Sequence, residues 1–136
     1  MREMAVETHA HTQFVNIDRL IQQAITDVGM VDGLAHVHVP HTTAGITINE
    51  NADPDVVADM AGILERIVPW KGGYAHAEGN SAAHVKASLM GFSVTVPVQG
   101  GKLKMGTWQS VYFCEFDGPR RRKIWVTCAP VSRTQA

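Results

Sequence analysis

Residues 76–91 read HAEGNSAAHVKASLMG, and this stretch marks the change from a helical first half to a strand-rich second half of the chain. Asn80 is a residue type favoured just before a helix, and Gly91 is one favoured just after it. The sequence therefore predicts a helix over residues 81–90. His76 precedes this helix and His84 lies about one turn into it, so we expect the two imidazoles to face the same way.

Apolar periodicity predicts two earlier helices and several strands. Residues 17–28 carry an apolar stripe between Asn16 and Gly29. Residues 54–68 carry a second apolar stripe. It follows Asp53, a capping residue, and has proline in its first turn. Alternating segments predict strands over residues 3–15, 33–39, 46–49, 93–98, 102–105, 107–116 and 123–129. We therefore expect an α+β fold of mainly antiparallel β-sheets with about three helices, in one domain over residues 1–136.

The composition is that of a globular domain with no charged partner. Apolar residues make up 45% of the chain and charged residues 18%, which is enough apolar material for a packed core. The formal net charge of −1 argues against nucleic acid, and no apolar run is long enough to span a membrane. The first residues contain no apolar signal core, so we expect a cytoplasmic protein.

The two cysteines predict free, reduced thiols. Cys114 and Cys128 fall in two expected strands joined by a turn near residues 117–119. If these strands pair antiparallel about the turn, Cys114 lies opposite residue 123 rather than opposite Cys128. Reduced thiols are the rule in the cytosol, in agreement with the expected location.

Three histidines suggest a metal site. His41 opens HTTAGITINEN, residues 41–51, and joins His76 and His84 as a third imidazole at the edge of a regular element. Neutral imidazoles are common ligands of zinc-type ions, and three of them leave a position open for water or substrate. A lone histidine is more often a surface or capping residue, so the hypothesis depends on all three meeting at one site.

Further polar residues are candidates for catalysis or substrate binding. Glu50 is a candidate general base, although a solvated loop carboxylate is the simpler interpretation. Asn80 can contact a polar ligand or serve only its helix. The hydroxyl and backbone N–H groups of Thr42 and Thr43 can hold an anion such as phosphate. Arg120 begins a basic run that can clamp phosphate, although such a run is usually a solvated turn.

Two further pairs of residues, Trp108 with Gln109 and His36 with His38, each allow more than one interpretation. Trp108 and Gln109 begin an expected strand, where tryptophan can form the wall for an aromatic substrate or pack in the core or an interface. His36 and His38 share one face of a strand, which lines a polar cavity, is exposed or is covered by another subunit.

Four motifs together resemble the YjbQ-like family, some of whose members are named secondary thiamine-phosphate synthases. The resemblance extends from about residue 16 to residue 128. The motifs, in chain order, are HTTAGITINEN, HAEGNSAAHVKASLMG, VPVQGGKLKMGTWQ and FCEFDGPRRR. Each motif alone is weak, but their combination and order are highly specific.

The resemblance implies antiparallel sheets, a homotrimer and a metal site at the histidines His41, His76 and His84. Other residues that match positions of the family motifs are Glu50, Asn80, Trp108, Gln109 and Arg120. The implied reaction joins a hydroxymethylpyrimidine diphosphate to a thiazole phosphate and releases diphosphate. Histidines favour zinc-type ions. Magnesium is the alternative metal, if a diphosphate substrate carries it into the pocket.

Two other functions remain open from the residues themselves. Metal-bound water with Glu50 as base also suits a metal-dependent hydrolase of unknown substrate. A trimer that binds metal or ligand without turnover is the third interpretation, because no activated serine or cysteine pattern is present.

Overall fold

The computed structural model describes residues 1–132. Helices and strands alternate irregularly along the chain, as expected of an α+β protein. In order they are β1 Arg2–Glu7, β2 Gln13–Asn16, α1 Asp18–Val28, β3 Gly33–His38, β4 Ala44–Glu50, α2 Pro54–Ile67, α3 Ser81–Met90, β5 Ser93–Gln99, β6 Lys102–Leu103, β7 Gln109–Glu115 and β8 Arg121–Pro130. The prediction of three helices and mainly antiparallel strands is confirmed.

The strands form two antiparallel sheets. One has five strands in the order β1-β8-β3-β5-β6, and the other has three in the order β2-β7-β4. Residues of both sheets and of α1 belong to one buried cluster, in which Ile25, Ala35, Ile46 and Phe113 are fully buried. The alternating burial of β3 and β8 places one face of the five-stranded sheet in this core and leaves the other face exposed.

The sequence-based strand limits fail where the chain passes from one sheet to the other. The segment 3–15 contains two strands, β1 and β2, that belong to different sheets. Strands β7 and β8 do not pair about the turn at residues 117–119, because β7 lies in the three-stranded sheet and β8 in the five-stranded one. Cys114 and Cys128 therefore lie in separate sheets, and both are free thiols as expected.

The observed helix ends can be compared with the capping and stop residues predicted from the sequence. The side chain of Asp53 caps α2 by accepting from the backbone N–H of Asp55 at 2.9 Å. Gly29 ends α1 with a φ of 68°, a left-handed conformation that glycine adopts without strain. Asn80 occupies the N-cap position of α3, as expected, but its side chain makes no capping hydrogen bond.

Helix α3 packs closely on β4 and thereby fixes the site described below. A Cβ atom at Gly45 would lie 2.7 Å from the carbonyl oxygen of Gly91, so only glycine permits this approach. Under α2 and α3 lies a second, smaller cluster of buried side chains: Leu64, Ala83, Ala87, Tyr112, Cys114 and Phe116.

The loop between α2 and α3 is held mainly at its two ends. At its start, the backbone N–H of Trp70 donates to Glu65, and the hydroxyl of Tyr74 donates to the carbonyl of Pro69. Residues 71–79 are exposed, whereas Asn80 at the end of the loop is buried. His76 thus lies on a segment that carries almost no core contacts. None of the helices within residues 1–132 is long and apolar enough to cross a membrane.

Candidate functional site

One depression collects most of the candidate residues. Its volume is about 470 Å³, within the range that accommodates a small ligand. We call it the histidine pocket, and its lining residues are Pro40, His41, Thr42, Thr43, His76, Glu78, Asn80, His84, Asp117, Arg120 and Arg122. Three separate stretches of the chain, residues 40–43, 76–84 and 117–122, supply these side chains, so their meeting is a product of the tertiary fold.

His76 and His84 are neighbours in the pocket, as their spacing predicts. Their ring centroids are 5.6 Å apart and the ring planes are nearly perpendicular, at 87°. Two imidazoles that share one ion at about 2.0–2.1 Å have centroids roughly 4.5–6 Å apart, so this pair fits a shared ion. The Nε2 atom of His76 also lies 3.8 Å from the carboxylate of Glu78.

His41 lines the same pocket but is engaged differently. Its Nε2 atom accepts a hydrogen bond of 3.0 Å from the backbone N–H of Lys123. Partial burial and the nearby charge of Arg122 lower the pKa of His41, which favours the neutral ring. In the neutral ring the other nitrogen, Nδ1, then carries the hydrogen and is a donor.

The three histidines therefore do not form a ready-made metal site. Within residues 1–132, no group of three His, Cys, Asp or Glu side chains is arranged to hold a metal ion. His76 and His84 fit as two ligands, but the Nε2 of His41 is occupied by the Lys123 N–H. Because the Nδ1 of the neutral His41 ring carries the hydrogen, the expected set of three ligands needs His41 to give up its hydrogen bond with Lys123.

A buried ion pair supports the floor of the pocket. Glu115 is fully buried and Arg122 is 4% exposed. The Nε of Arg122 donates to Glu115 at 2.7 Å, and its Nη2 donates to Glu115 at 2.5 Å and to the Thr43 hydroxyl at 2.8 Å. Burial opposes ionisation of Glu115, but the hydrogen bonds from Arg122, Asp117 and Thr8 prevail and lower its pKa.

Arg122 and Asp117 were missed as site residues by the sequence analysis. Arg122 belongs to a basic run that typically indicates a solvated turn, yet β8 places it on the inner face between the exposed Arg121 and Lys123. The detectable signal was strand alternation, which sets Arg122 in phase with the buried Ile124 and Val126. Asp117 was interpreted only as a turn residue.

Arg120 and Asp117 form the rim of the pocket. The Nε of Arg120 donates to the carbonyl of Asp117 at 2.9 Å, and its Nη2 lies 3.3 Å from the Asp117 carboxylate. The side chain of Arg120 remains 49% exposed and is the more accessible of the two guanidinium groups. Of the two candidate threonines, Thr43 is tied to Arg122, whereas Thr42 is exposed.

Asn80 carries an unpaired buried acceptor. Its Nδ2 donates to the Asp117 carboxylate at 2.9 Å, and the residue is 9% exposed. Its Oδ1 is buried and finds no hydrogen-bond partner among the described residues. An orphaned buried acceptor costs about 1–3 kcal/mol, and the buried hydroxyl of Ser110 is a second one among the described residues.

The structure separates Glu50, Trp108 and Gln109 from the histidine pocket. Glu50 ends β4 and pairs with Gln109, whereas the pocket adjoins the opposite end of the strand, where Ala44 pairs with Glu115. Six residue steps along a strand cover about 20 Å, so Glu50 does not lie beside the histidines of its own chain. Trp108 is 63% exposed, and Gln109 accepts from the Gly106 N–H in a local turn.

A second pair of histidines, His36 and His38, lies on the exposed sheet face. The Nδ1 of His36 is 2.9 Å from the hydroxyl of Thr95, and the ring of His38 stacks on Trp125 with centroids 5.5 Å apart. Neither residue lines the histidine pocket.

Comparison with known proteins places the chain among close relatives. The family described as UPF0047 protein YjbQ-like matches residues 2–130. UPF0047 protein MJ1081 of Methanocaldococcus jannaschii is 48% identical over 121 residues, which cover 89% of this chain and 88% of that protein. UPF0047 protein YugU of Bacillus subtilis is 44% identical over 127 residues, which cover 93% and 96% of the two chains.

Solved structures show the same fold. An uncharacterised YjbQ/UPF0047 protein from Clostridium acetobutylicum superposes with a TM-score of 0.92 at 52% identity, covering 95% of this chain and 100% of that one. The conserved hypothetical protein TT1486 from Thermus thermophilus gives a TM-score of 0.89 at 39% identity, with coverage of 95% and 100%.

Proposed function

Because the chain belongs to the UPF0047 protein YjbQ-like family, we propose that it is an enzyme that binds a phosphorylated small molecule in the histidine pocket. The proposed reaction is of the thiamine-phosphate synthase type, in which a hydroxymethylpyrimidine diphosphate is joined to a thiazole phosphate. The observation that carries the proposal is the meeting of His41, His76, His84 and Arg120 in one pocket from separate segments.

The pocket offers several groups that suit a phosphate. Arg120 is half exposed and can donate to phosphate oxygens while Asp117 holds its position. The Nδ1–H of neutral His41 is a further donor. The N-terminus of α3 adds a partial positive charge behind Asn80. These donors would orient the phosphate and stabilise the charge that develops as diphosphate leaves.

A divalent ion belongs to the proposal, with His76 and His84 as two of its ligands; His41 becomes the third only if its ring gives up the hydrogen bond from the Lys123 N–H. Such an ion would supply positive charge to the leaving phosphate oxygens. Zinc-type ions suit the imidazoles, and Mg²⁺ is the alternative if the diphosphate brings it. Metal analysis of protein purified without a histidine tag tests this set: about one equivalent per chain is expected, lost in His84→Ala and retained in His36→Ala.

The test of the reaction supplies both phosphorylated precursors and measures thiamine phosphate. Wild type is expected to form product, and His84→Ala and Arg120→Ala to lose most of the rate. His36→Ala is the matched control, because it removes a histidine from the exposed sheet face and leaves the pocket intact. If wild type forms no thiamine phosphate with Zn²⁺, Mn²⁺ or Mg²⁺ present, this reaction is wrong.

A metal-dependent hydrolase is the second candidate, and the position of Trp108 favours it. Trp108 lies at the far end of the three-stranded sheet, so the histidine pocket of one chain has no tryptophan against which two heterocyclic rings can stack. Glu78, whose carboxylate lies 3.8 Å from the Nε2 of His76, is a candidate for moving a proton. Phosphoesters and amides screened with Zn²⁺, Mn²⁺ and Ni²⁺ would reveal hydrolysis, and uptake without any turnover would favour a binding protein.

We also propose that the chain forms a homotrimer. Large apolar side chains are exposed on α2 and α3, where Ile63, Ile67 and Leu89 are 46%, 64% and 57% exposed. Covering such side chains is a usual reason for assembly. Light scattering after size exclusion should give three times the chain mass for wild type and a smaller mass for Ile67→Glu. Leu34→Glu, on the exposed sheet face, is the control.

A further inference from the structure

The chain reversal that carries Asp117 and Arg120 into the histidine pocket is held at both ends by the buried carboxylate of Glu115. At the first end, the backbone N–H of Asp117 donates to the Oε2 atom of Glu115 at 3.0 Å. At the second end the link is indirect. The hydroxyl of Thr8 donates to the Oε1 atom of Glu115 at 2.9 Å and accepts from the backbone N–H of Arg120, also at 2.9 Å. Thr8 thus bridges the buried carboxylate and the backbone of Arg120.

Thr8 can make this bridge because it follows the last residue of β1. The pairing of β1 with β8 ends at Glu7 and Arg121, so the next pair along the two strands is Thr8 with Arg120. The backbone N–H of Thr8 donates to the carbonyl of Arg120 at 3.0 Å, while the N–H of Arg120 donates to the threonine hydroxyl. Both backbone polar groups of Arg120 are therefore bonded to one residue, which is itself buried.

The side-chain contacts of Arg120 do not fix it against the rest of the molecule. Its Nε atom donates to the carbonyl of Asp117, and its Nη2 atom lies 3.3 Å from the Asp117 carboxylate. Both contacts are made within the same chain reversal, and the side chain is half exposed. An arginine side chain loses rotamer freedom when it binds a ligand, and a fixed backbone lowers that cost.

We propose that Thr8 is a positioning residue of the histidine pocket. Thr8 does not line the pocket, but it holds Arg120 where the guanidinium group can meet a phosphate. This inference rests on the phosphate-binding role of Arg120 in the proposed function, and it adds to that site a residue from the connection between β1 and β2. Supporting contacts of this kind preorganise a binding group before the ligand arrives.

Calorimetric titration of the full chain with inorganic phosphate and with inorganic diphosphate tests the inference. Thr8→Val replaces the hydroxyl by a methyl group, so the N–H of Arg120 loses its acceptor. The affinity is expected to fall about tenfold, the effect of one hydrogen bond. Thr8→Ser keeps the hydroxyl and should bind within about threefold of wild type. Val6→Ala is the control, because it destabilises the core from the same strand without removing the bridge, and its affinity should also stay within about threefold.

The double variant Thr8→Val with Arg120→Ala separates positioning from a general loosening of the pocket. If Thr8 acts through the guanidinium group, Thr8→Val should change the affinity less than about twofold once Arg120→Ala has removed that group. A tenfold loss of affinity in both backgrounds would overturn the inference, because Thr8 would then support the whole pocket rather than Arg120.

Two further results separate the inference from the proposed function. If wild type binds neither phosphate nor diphosphate, the proposed function fails and the inference fails with it. If wild type binds them and Thr8→Val binds equally well, the inference alone is overturned. Circular dichroism checks that each variant is folded. Where Thr8→Val is not, Thr8→Ala takes its place, because it removes the hydroxyl without setting a new methyl group beside Glu115.

Discussion

The two ends of the three-stranded sheet differ in how their polar side chains are held. At the end where Ala44 pairs with Glu115, charged and amide groups are buried and bonded to one another, and they support a pocket. At the end where Glu50 pairs with Gln109, the polar and aromatic side chains are largely solvated. The same strands therefore carry a preorganised site at one end and an unsupported group of residues about 20 Å away.

This difference shows that residue type alone does not identify a functional site. Glu50 and Trp108 are chemically suited to catalysis and stacking, but in the part of the chain that the structure describes no hydrogen bond holds either side chain. Thr43, Glu115 and Arg122 never touch solvent freely, yet they hold the pocket in shape. Preorganisation by such supporting groups is what a binding or catalytic site needs.

The largest effect is expected when the buried ion pair is broken. Arg122→Met keeps the volume but leaves Glu115 as an uncompensated buried charge, which should cost about 3–5 kcal/mol of unfolding free energy. Urea unfolding measures it. Gln109→Ala at the opposite end is the control and should change stability by no more than about 0.5 kcal/mol. Equal losses would show that the two ends are held alike.

The same ion pair predicts a pH dependence. The pKa of Glu115 is lowered by folding from its ordinary value of 4.5, so its contribution to stability is complete above that value and is lost as the pH falls below it. Wild type should therefore exceed Glu115→Gln most at pH 7, and the gap in unfolding free energy should narrow progressively below pH 4.5. A gap of constant size down to pH 3 would contradict this.

Substitutions at the two ends of the sheet should also differ in their effect on activity. His84→Ala should lower kcat/KM by about 100-fold, because it removes one member of the imidazole pair. Glu50→Gln should stay within about threefold of wild type, since its carboxylate is remote from the pocket of its own chain. A loss of about 100-fold or more in Glu50→Gln would mean that a neighbouring subunit brings Glu50 to the pocket.

A smaller effect on stability is expected where α3 packs against β4. In Gly45→Ala the new methyl group would meet the Gly91 carbonyl, which must shift, at a cost of about 1–3 kcal/mol. A Cβ at Gly62 in α2 would meet only the end of the Arg66 side chain, at an ordinary contact distance of 3.9 Å, so Gly62→Ala should instead stabilise by about 0.5–1 kcal/mol. Thermal unfolding of the two variants compares them, and equal melting temperatures would contradict the tight contact.

The smallest effect is expected at Trp108. Because 63% of its surface is exposed, Trp108→Ala should change the unfolding free energy by no more than about 0.5 kcal/mol at protein concentrations where the chain is monomeric. Urea unfolding at several protein concentrations measures this. A larger loss that grows with concentration would indicate that Trp108 is covered in an assembly.

The local parts of this structure could be predicted from the sequence because they depend on neighbours in the chain. Apolar stripes and stop residues indicated all three helices. One turn of helix separates His84 from Asn80, and the turn just before the helix brings His76 back toward the same side. His76 and His84 are therefore close. Such short-range geometry needs no knowledge of the fold.

The remaining features depend on how distant strands pair. The sequence contains no sign that the chain leaves one sheet at Glu115 and enters the other at Arg121, so a hairpin of β7 and β8 was expected in error. The same crossing brings Arg122 against Glu115 and Thr43, which buries a residue that composition assigns to a solvated turn. Glu50 was placed beside the histidines because it is only nine residues from His41, but those residues form an extended strand.

The attachment of the α2–α3 loop has a consequence for hydrogen exchange. Residues 71–79 are exposed and fastened mainly near Trp70 and Asn80, so they can open while the core stays folded. Amide protons of this segment should exchange by local fluctuations whose rate hardly changes with urea, whereas those of β7 should follow global unfolding. His76 would then move on a faster timescale than His84, although the two rings face each other.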